Sequence, residues 1–123
     1  MKTLHTPNAP AAIGPYSQAV EVNGFVFTSG QIAIDPATGN VEAGDIVGQT
    51  EQIMKNLGAI LAEAGCGFEN AVKTTCFLAD MGDFAAFNEV YGKYFTTKPA
   101  RSCVAVKQLP KNVLAEVEVI AAK

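Results

Sequence analysis

The sequence predicts an α+β fold, a mixed β-sheet with two helices packed on one face. Three observations carry that prediction. Segments with strand or helix character follow one another as strands, helix, strand, helix and two strands. Asn23-Gly24 separates two short β-prone runs, the strongest local signal for a hairpin. In the C-terminal run 113–121, Val113, Ala115, Val117, Val119 and Ala121 alternate onto one wholly apolar face. The chain has 123 residues, of which 49% are hydrophobic and 17% charged, and is expected to form one domain over residues 1–123. A chain of this length buries roughly two-thirds of its unfolded surface.

The elements follow in order. Residues 2–5 read as a short edge strand, and residues 8–15 as a loop too apolar for a solvated linker, ending in Ile13-Gly14-Pro15-Tyr16-Ser17. Residues 18–22 and 25–29 are the hairpin strands, with 31–34 continuing the second beyond Gly30. A glycine inside a strand pattern marks a bulge or a close backbone approach. Residues 35–40, Asp-Pro-Ala-Thr-Gly-Asn, are a turn. Asp45 suits a helix N-cap, Ile46, Ile53, Leu57, Ile60, Leu61 and Ala64 fall near helical spacing, and Gly65 stops the helix. Gly58 within it costs about 1 kcal/mol relative to alanine, which suggests close packing on the sheet. Residues 72–78 are a strand. Asp83 is expected to cap a second helix whose aromatic stripe, Phe84, Phe87, Tyr91 and Tyr94-Phe95, reads as core. A loop over 96–99 leads to strands at 100–106 and 113–121.

Composition narrows the function. Net charge is −3 and no lysines cluster, which argues against nucleic acid as a partner. No apolar run is long enough to span a bilayer, and the N-terminus has no apolar signal-peptide core, so neither membrane nor secretion is expected. Cys66, Cys76 and Cys103 form no C-x-x-C pair, and the one histidine, His5, is remote in sequence. No metal site or disulfide framework is expected, and three reduced thiols suit a cytoplasmic protein.

Two features point to chemistry. Arg101 is the one arginine among nine basic residues. Its planar fork matches carboxylates in a two-bond geometry that lysine cannot copy, although a solvated surface arginine would look the same in sequence. The second is the other face of the last strand, where Glu116 and Glu118 alternate with Leu114 and Ile120. Arg101, Cys103 and Ala105 share a face of the preceding strand, and that face is expected to join the two glutamates on the side away from the helices. A half-polar open face of this kind suggests an interface between copies with a polar pocket in it. An Arg–Glu salt bridge with no further role is the competing reading.

Three stretches, residues 8–19 (Asn-Ala-Pro-Ala-Ala-Ile-Gly-Pro-Tyr-Ser-Gln-Ala), 27–31 (Phe-Thr-Ser-Gly-Gln) and 99–104 (Pro-Ala-Arg-Ser-Cys-Val), resemble the RidA family (YjgF/YER057c/UK114) of enamine/imine deaminases in order and spacing, almost end to end. The resemblance implies a chorismate-mutase-like fold and a homotrimer with sheets facing inward and clefts between subunits. It also implies hydrolysis of 2-aminoacrylate-type enamines and 2-imino acids, leaked by pyridoxal-phosphate enzymes, to 2-keto acids and ammonia, without a cofactor. This would make the chain a 2-iminobutanoate/2-iminopropanoate deaminase. On the same basis Arg101 binds the substrate carboxylate and Cys103 offers its backbone carbonyl. Tyr16, Ser29, Gly30 and Asn88 line the cleft, with Ser29 or the Gly30 amide assisting Arg101. The catalytic glutamate, fifteen residues after the arginine, falls on Glu116, with Glu118 the nearest alternative. Two departures from the family pattern bear on the cleft. Only Thr96-Thr97-Lys98 precede Pro99, where many members have a longer segment, and Ala115 replaces a larger aliphatic residue. A protein that binds 2-keto acids without turnover would use the same arginine. An RNA-directed role meets the missing basic patch, and a pericyclic reaction on a dianion would want more than one arginine.

Overall fold

The computed structural model describes residues 1–123. Six strands form one sheet: β1 (Lys2–Leu4), β2 (Ala19–Val22), β3 (Phe25–Thr28), β4 (Ala71–Leu78), β5 (Ala100–Ala105) and β6 (Ala115–Ala122). Their spatial order is β1-β2-β3-β6-β4-β5. All neighbours are antiparallel except β4 and β5, so the sheet is mixed. Helices α1 (Ile46–Glu63) and α2 (Phe84–Tyr94) complete the α+β fold.

The hairpin forms where Asn-Gly is found, with Asn23 at φ 52° and Gly24 at φ 81°. Positive φ at both central residues matches the twist of the flanking strands. Asp45 caps α1 by accepting from the Gly48 amide at 2.9 Å, and Gly65 ends it in the left-handed region at φ 81°. The apolar stripe of α1 and the apolar face of β6 meet in a core that includes Ile53, Leu57, Ile60, Val117 and Val119. No helix is long and apolar enough to cross a membrane.

Three local expectations are corrected. Gly58 faces Phe68 rather than the sheet: a β-carbon there would stand 3.3 Å from the Phe68 ring. Asp83 stands at the N-cap position just before α2 but makes no side-chain cap, because its own backbone is already helical. Asp80 caps the preceding turn instead, accepting from the Gly82 amide at 2.6 Å. Residues 31–34 do not extend β3 as a strand. Gln31 alone re-pairs with Val117, through bonds of 2.8 and 3.1 Å, and Ile34 bridges to Val41.

Candidate functional site

The interruption at Gly30 shapes the first half of the site. Phe27 pairs with Ile120, but Gln31 pairs with Val117. Four residues advance on one strand against three on the other, so Ser29 and Gly30 together oppose Glu118. This is a β-bulge, a device that re-aims side chains where the ladder breaks. The Val119 amide, next to the break, turns to the Thr28 hydroxyl at 2.9 Å.

Beside the bulge lies a cleft of about 810 Å³, lined by Tyr16, Ser29, Gly30, Lys111, Glu116 and Glu118 among others. The Glu116 carboxyl lies directly on Gly30, where a side chain would have no room. Burial raises the pKa of Glu116 above the usual carboxylate range, and the Glu118 charge adds to the rise. The Ser29 hydroxyl donates to the Ser17 carbonyl at 2.6 Å. That bond uses the hydroxyl proton, so in this arrangement Ser29 has its lone pairs to offer. The Gly30 amide has no partner in the chain and is free to donate. Tyr16 packs its ring over Gly14 yet remains 52% exposed. The loop that carries it hangs on buried Gln18. That side chain accepts from the Thr6 amide at 2.7 Å and donates to the carbonyls of Thr6, Ala9 and Pro10 at 2.8–3.3 Å.

The second half is built on β5 and α2. Arg101 donates from Nη1 to Asn88 Oδ1 at 2.7 Å. Its guanidinium carbon lies 4.8 Å from the centroid of the Tyr91 ring and 5.4 Å from that of Phe84. Both are within cation–π range. The Tyr91 hydroxyl in turn hydrogen-bonds buried Thr74 at 2.7 Å. No carboxylate pairs with Arg101; the ion pairs in the chain are Lys93–Glu51 and Lys123–Glu21. A half-buried guanidinium without a counter-ion is poised for an anion.

A family profile described as endoribonuclease L-PSP matches residues 6–123.

The chain belongs to the L-PSP family.

This is the RidA/YjgF family that the three motifs resemble. The mouse protein 2-iminobutanoate/2-iminopropanoate deaminase is 50% identical over 121 residues, covering 98% of this chain and 90% of its own. The Rid family protein YyfA of Yersinia pestis superposes with a TM-score of 0.96 at 46% identity, covering 99% of this chain and 98% of that one. TdcF of E. coli, crystallised with bound serine, superposes at 0.95 with 42% identity, covering 100% and 99%.

In this L-PSP chain the structure gathers the expected residues into two groups. Tyr16, Ser29, Gly30 and Glu116 share the cleft. Arg101, Asn88 and Cys103 lie elsewhere, and here the expected common face is overturned. Arg101 pairs with Thr74 and Cys103 with Cys76, which pair in turn with Val119 and Val117. Directly paired residues point to the same face of a sheet, so Arg101 and Cys103 belong to the helix-covered side. Glu116 pairs with Phe77 on the open side. Asn88 is bonded to Arg101 and holds the guanidinium. The thiols are unsuited to nucleophilic work. Burial raises the Cys103 pKa, and pushes that of Cys76 up to about 12. No group of three His, Cys, Asp or Glu side chains is placed to hold a metal ion.

Sequence reasoning missed Phe84 and Tyr91 as neighbours of Arg101. Their signal was present: Phe84, Asn88 and Tyr91 are spaced by four and three residues, one face of a helix. Reading the stripe as core accounted for Phe87, Tyr91 and Phe95, which are buried, and hid the polar use of the same face.

Proposed function

We propose that this protein hydrolyses reactive 2-imino acids, and the 2-aminoacrylate-type enamines that tautomerise to them, to 2-keto acids. In charge-balanced form, R–C(=NH2⁺)–COO⁻ and water give R–CO–COO⁻ and NH4⁺. The observation that carries this reading is Arg101, a half-buried guanidinium held by Asn88 and two rings with no carboxylate of its own. It is a ready receptor for a small carboxylate. The mouse relative named as an imine deaminase supports the reaction, and the serine bound to TdcF supports a ligand of this size and charge pattern.

The chemistry needs little machinery, and no cofactor. A protonated imine carbon is already electrophilic, so the site has to hold the carboxylate, manage one proton and admit water. Arg101 holds the carboxylate with the Gly30 amide. Ser29 and the Cys103 carbonyl accept from the imine N–H. Glu116, its carboxyl raised toward neutrality, shuttles the proton and positions water. Positioned acid–base groups of this kind contribute 10²–10⁴-fold.

Arg101 and Glu116 stand on opposite sides of one sheet, so they serve one substrate only if the Glu116 cleft of one copy meets the Arg101 edge of another. A homotrimer of single-domain subunits with open faces inward satisfies this. In it Phe25, Phe27 and Val104, exposed here, are covered. An isolated subunit is inactive on this reading. The cleft suits a small imino acid in the cytoplasm better than RNA: its lining holds two glutamates, one lysine and no histidine.

A coupled assay tests the proposal. A serine or threonine dehydratase generates the imine, and its disappearance is followed with wild type and Arg101→Lys. Lysine keeps the charge and loses the fork, and imine loss should fall by about tenfold or more. Equal acceleration by the two proteins rejects the bidentate role.

A further inference from the structure

We propose that Tyr91 is a positioning residue for Arg101: the α2 stripe Phe84–Asn88–Tyr91 holds the guanidinium in its ligand-binding orientation before a carboxylate arrives. The inference rests on the reading of Arg101 as the carboxylate receptor and adds the residue that sets its geometry.

An arginine at the edge of a sheet normally samples many rotamers, and ordering it on binding weakens affinity. Here it is ordered in advance. The guanidinium lies over the Tyr91 ring at 4.8 Å, and one Nη1 proton is taken by Asn88 at 2.7 Å. Phe84, a turn earlier on the same helical face, adds a second ring at 5.4 Å.

Tyr91 cannot yield. Its ring stacks on Phe95 with centroids 4.5 Å apart, and Phe87 flanks it at 5.8 Å. Its hydroxyl is tied to Thr74 at 2.7 Å, and Thr74 is fully buried and pairs with Arg101 itself across β4 and β5. The backbone pairing that places Arg101 therefore also fixes the ring beneath its side chain. Asn88 Oδ1 binds Nη1, which leaves the Nε–Nη2 edge to take a carboxylate in two parallel bonds.

The inference separates affinity from chemistry. Tyr91 touches neither the reacting carbon nor the proton route through Glu116, so losing it should weaken carboxylate binding and leave the chemical step alone. Binding of 2-ketobutyrate is measured by calorimetry, and KM and kcat by the coupled assay, in Tyr91→Leu, Tyr91→Phe and Phe84→Leu. Tyr91→Leu should raise both Kd and KM by about tenfold, the order expected for losing a partly desolvated cation–π contact, with kcat within about twofold. Tyr91→Phe keeps the ring and should recover most of the affinity. Phe84→Leu perturbs a partly exposed site and should show the same KM pattern if Tyr91→Leu does not fold. A merely structural tyrosine would lower the melting temperature and leave Kd and KM of the folded protein unchanged, and that result overturns the inference. Wild type that binds no 2-keto acid would instead reject the reading of Arg101.

Discussion

A β-carbon on Gly30 would stand 2.9 Å from the carboxyl carbon of Glu116. That separation is closer than carbon atoms pack, so the glycine is the space the carboxyl occupies. The contact joins the bulge that ends β3 to the alternating polar face of β6. It accounts for a glycine at a position where φ alone does not require one.

Gly30→Ala should therefore move Glu116 and leave the fold in place, because the clash falls on the end of a flexible side chain. Turnover should drop by about 10²-fold, the lower end of what a positioned acid–base group supplies. Steady-state kinetics beside circular dichroism checks this, and a variant with full activity would show that Glu116 works from another position.

Glu116→Gln should abolish most turnover while keeping 2-keto-acid binding. It should also change stability in a direction set by linkage. The Glu116 pKa is raised in the folded chain, first by burial and then by Glu118. Between the unfolded value and the raised one the folded state holds more protons, so stability falls as pH climbs through that window. The variant escapes this loss: it should melt higher than wild type near neutrality and no higher in acid. Thermal melts across pH decide it.

Glu118→Gln removes the like charge that adds to the rise. The ionisation limb assigned to Glu116 in the pH–rate profile should move to lower pH yet keep most of its rise, since burial is the larger cause. Carboxyl NMR titration of Glu116 provides a readout independent of turnover. An unmoved titration would mean that the two carboxylates are screened from one another.

Gln18→Ala should be among the more damaging single substitutions. Gln18 is 2% exposed and serves the Thr6 amide and three carbonyls. Stranding buried polar groups costs about 1–3 kcal/mol. For a domain of this size, the expected fall in melting temperature is roughly 4–15 °C. The loop carrying Tyr16 should also become protease-sensitive, so limited proteolysis distinguishes loop release from global loss.

The elements that proved legible in sequence share a local cause. Asn23-Gly24, Asp45 with Gly65, and the 113–121 alternation each announce themselves within a few residues, because turn dihedrals, caps and strand parity are short-range properties. Gly30 was legible as a bulge or a close approach, and it is both. Gly58 and Asp83 were misread because their partners, Phe68 and an already helical backbone, are not written beside them.

By itself the sequence determined the order of the elements, the buried face of β6 and the family resemblance, and it singled out as candidates for chemistry Arg101 and, through the resemblance, Glu116 with Glu118 as its alternative. Only the tertiary structure decided how Arg101 and Glu116 stand to each other. Alternation fixes which residues share a face within one strand, but it does not relate the faces of two strands until their register is known. Thr74 opposite Arg101, and Phe77 opposite Glu116, supply that register. They put the arginine under the helices and the glutamate on the open side, separated by the sheet that carries both.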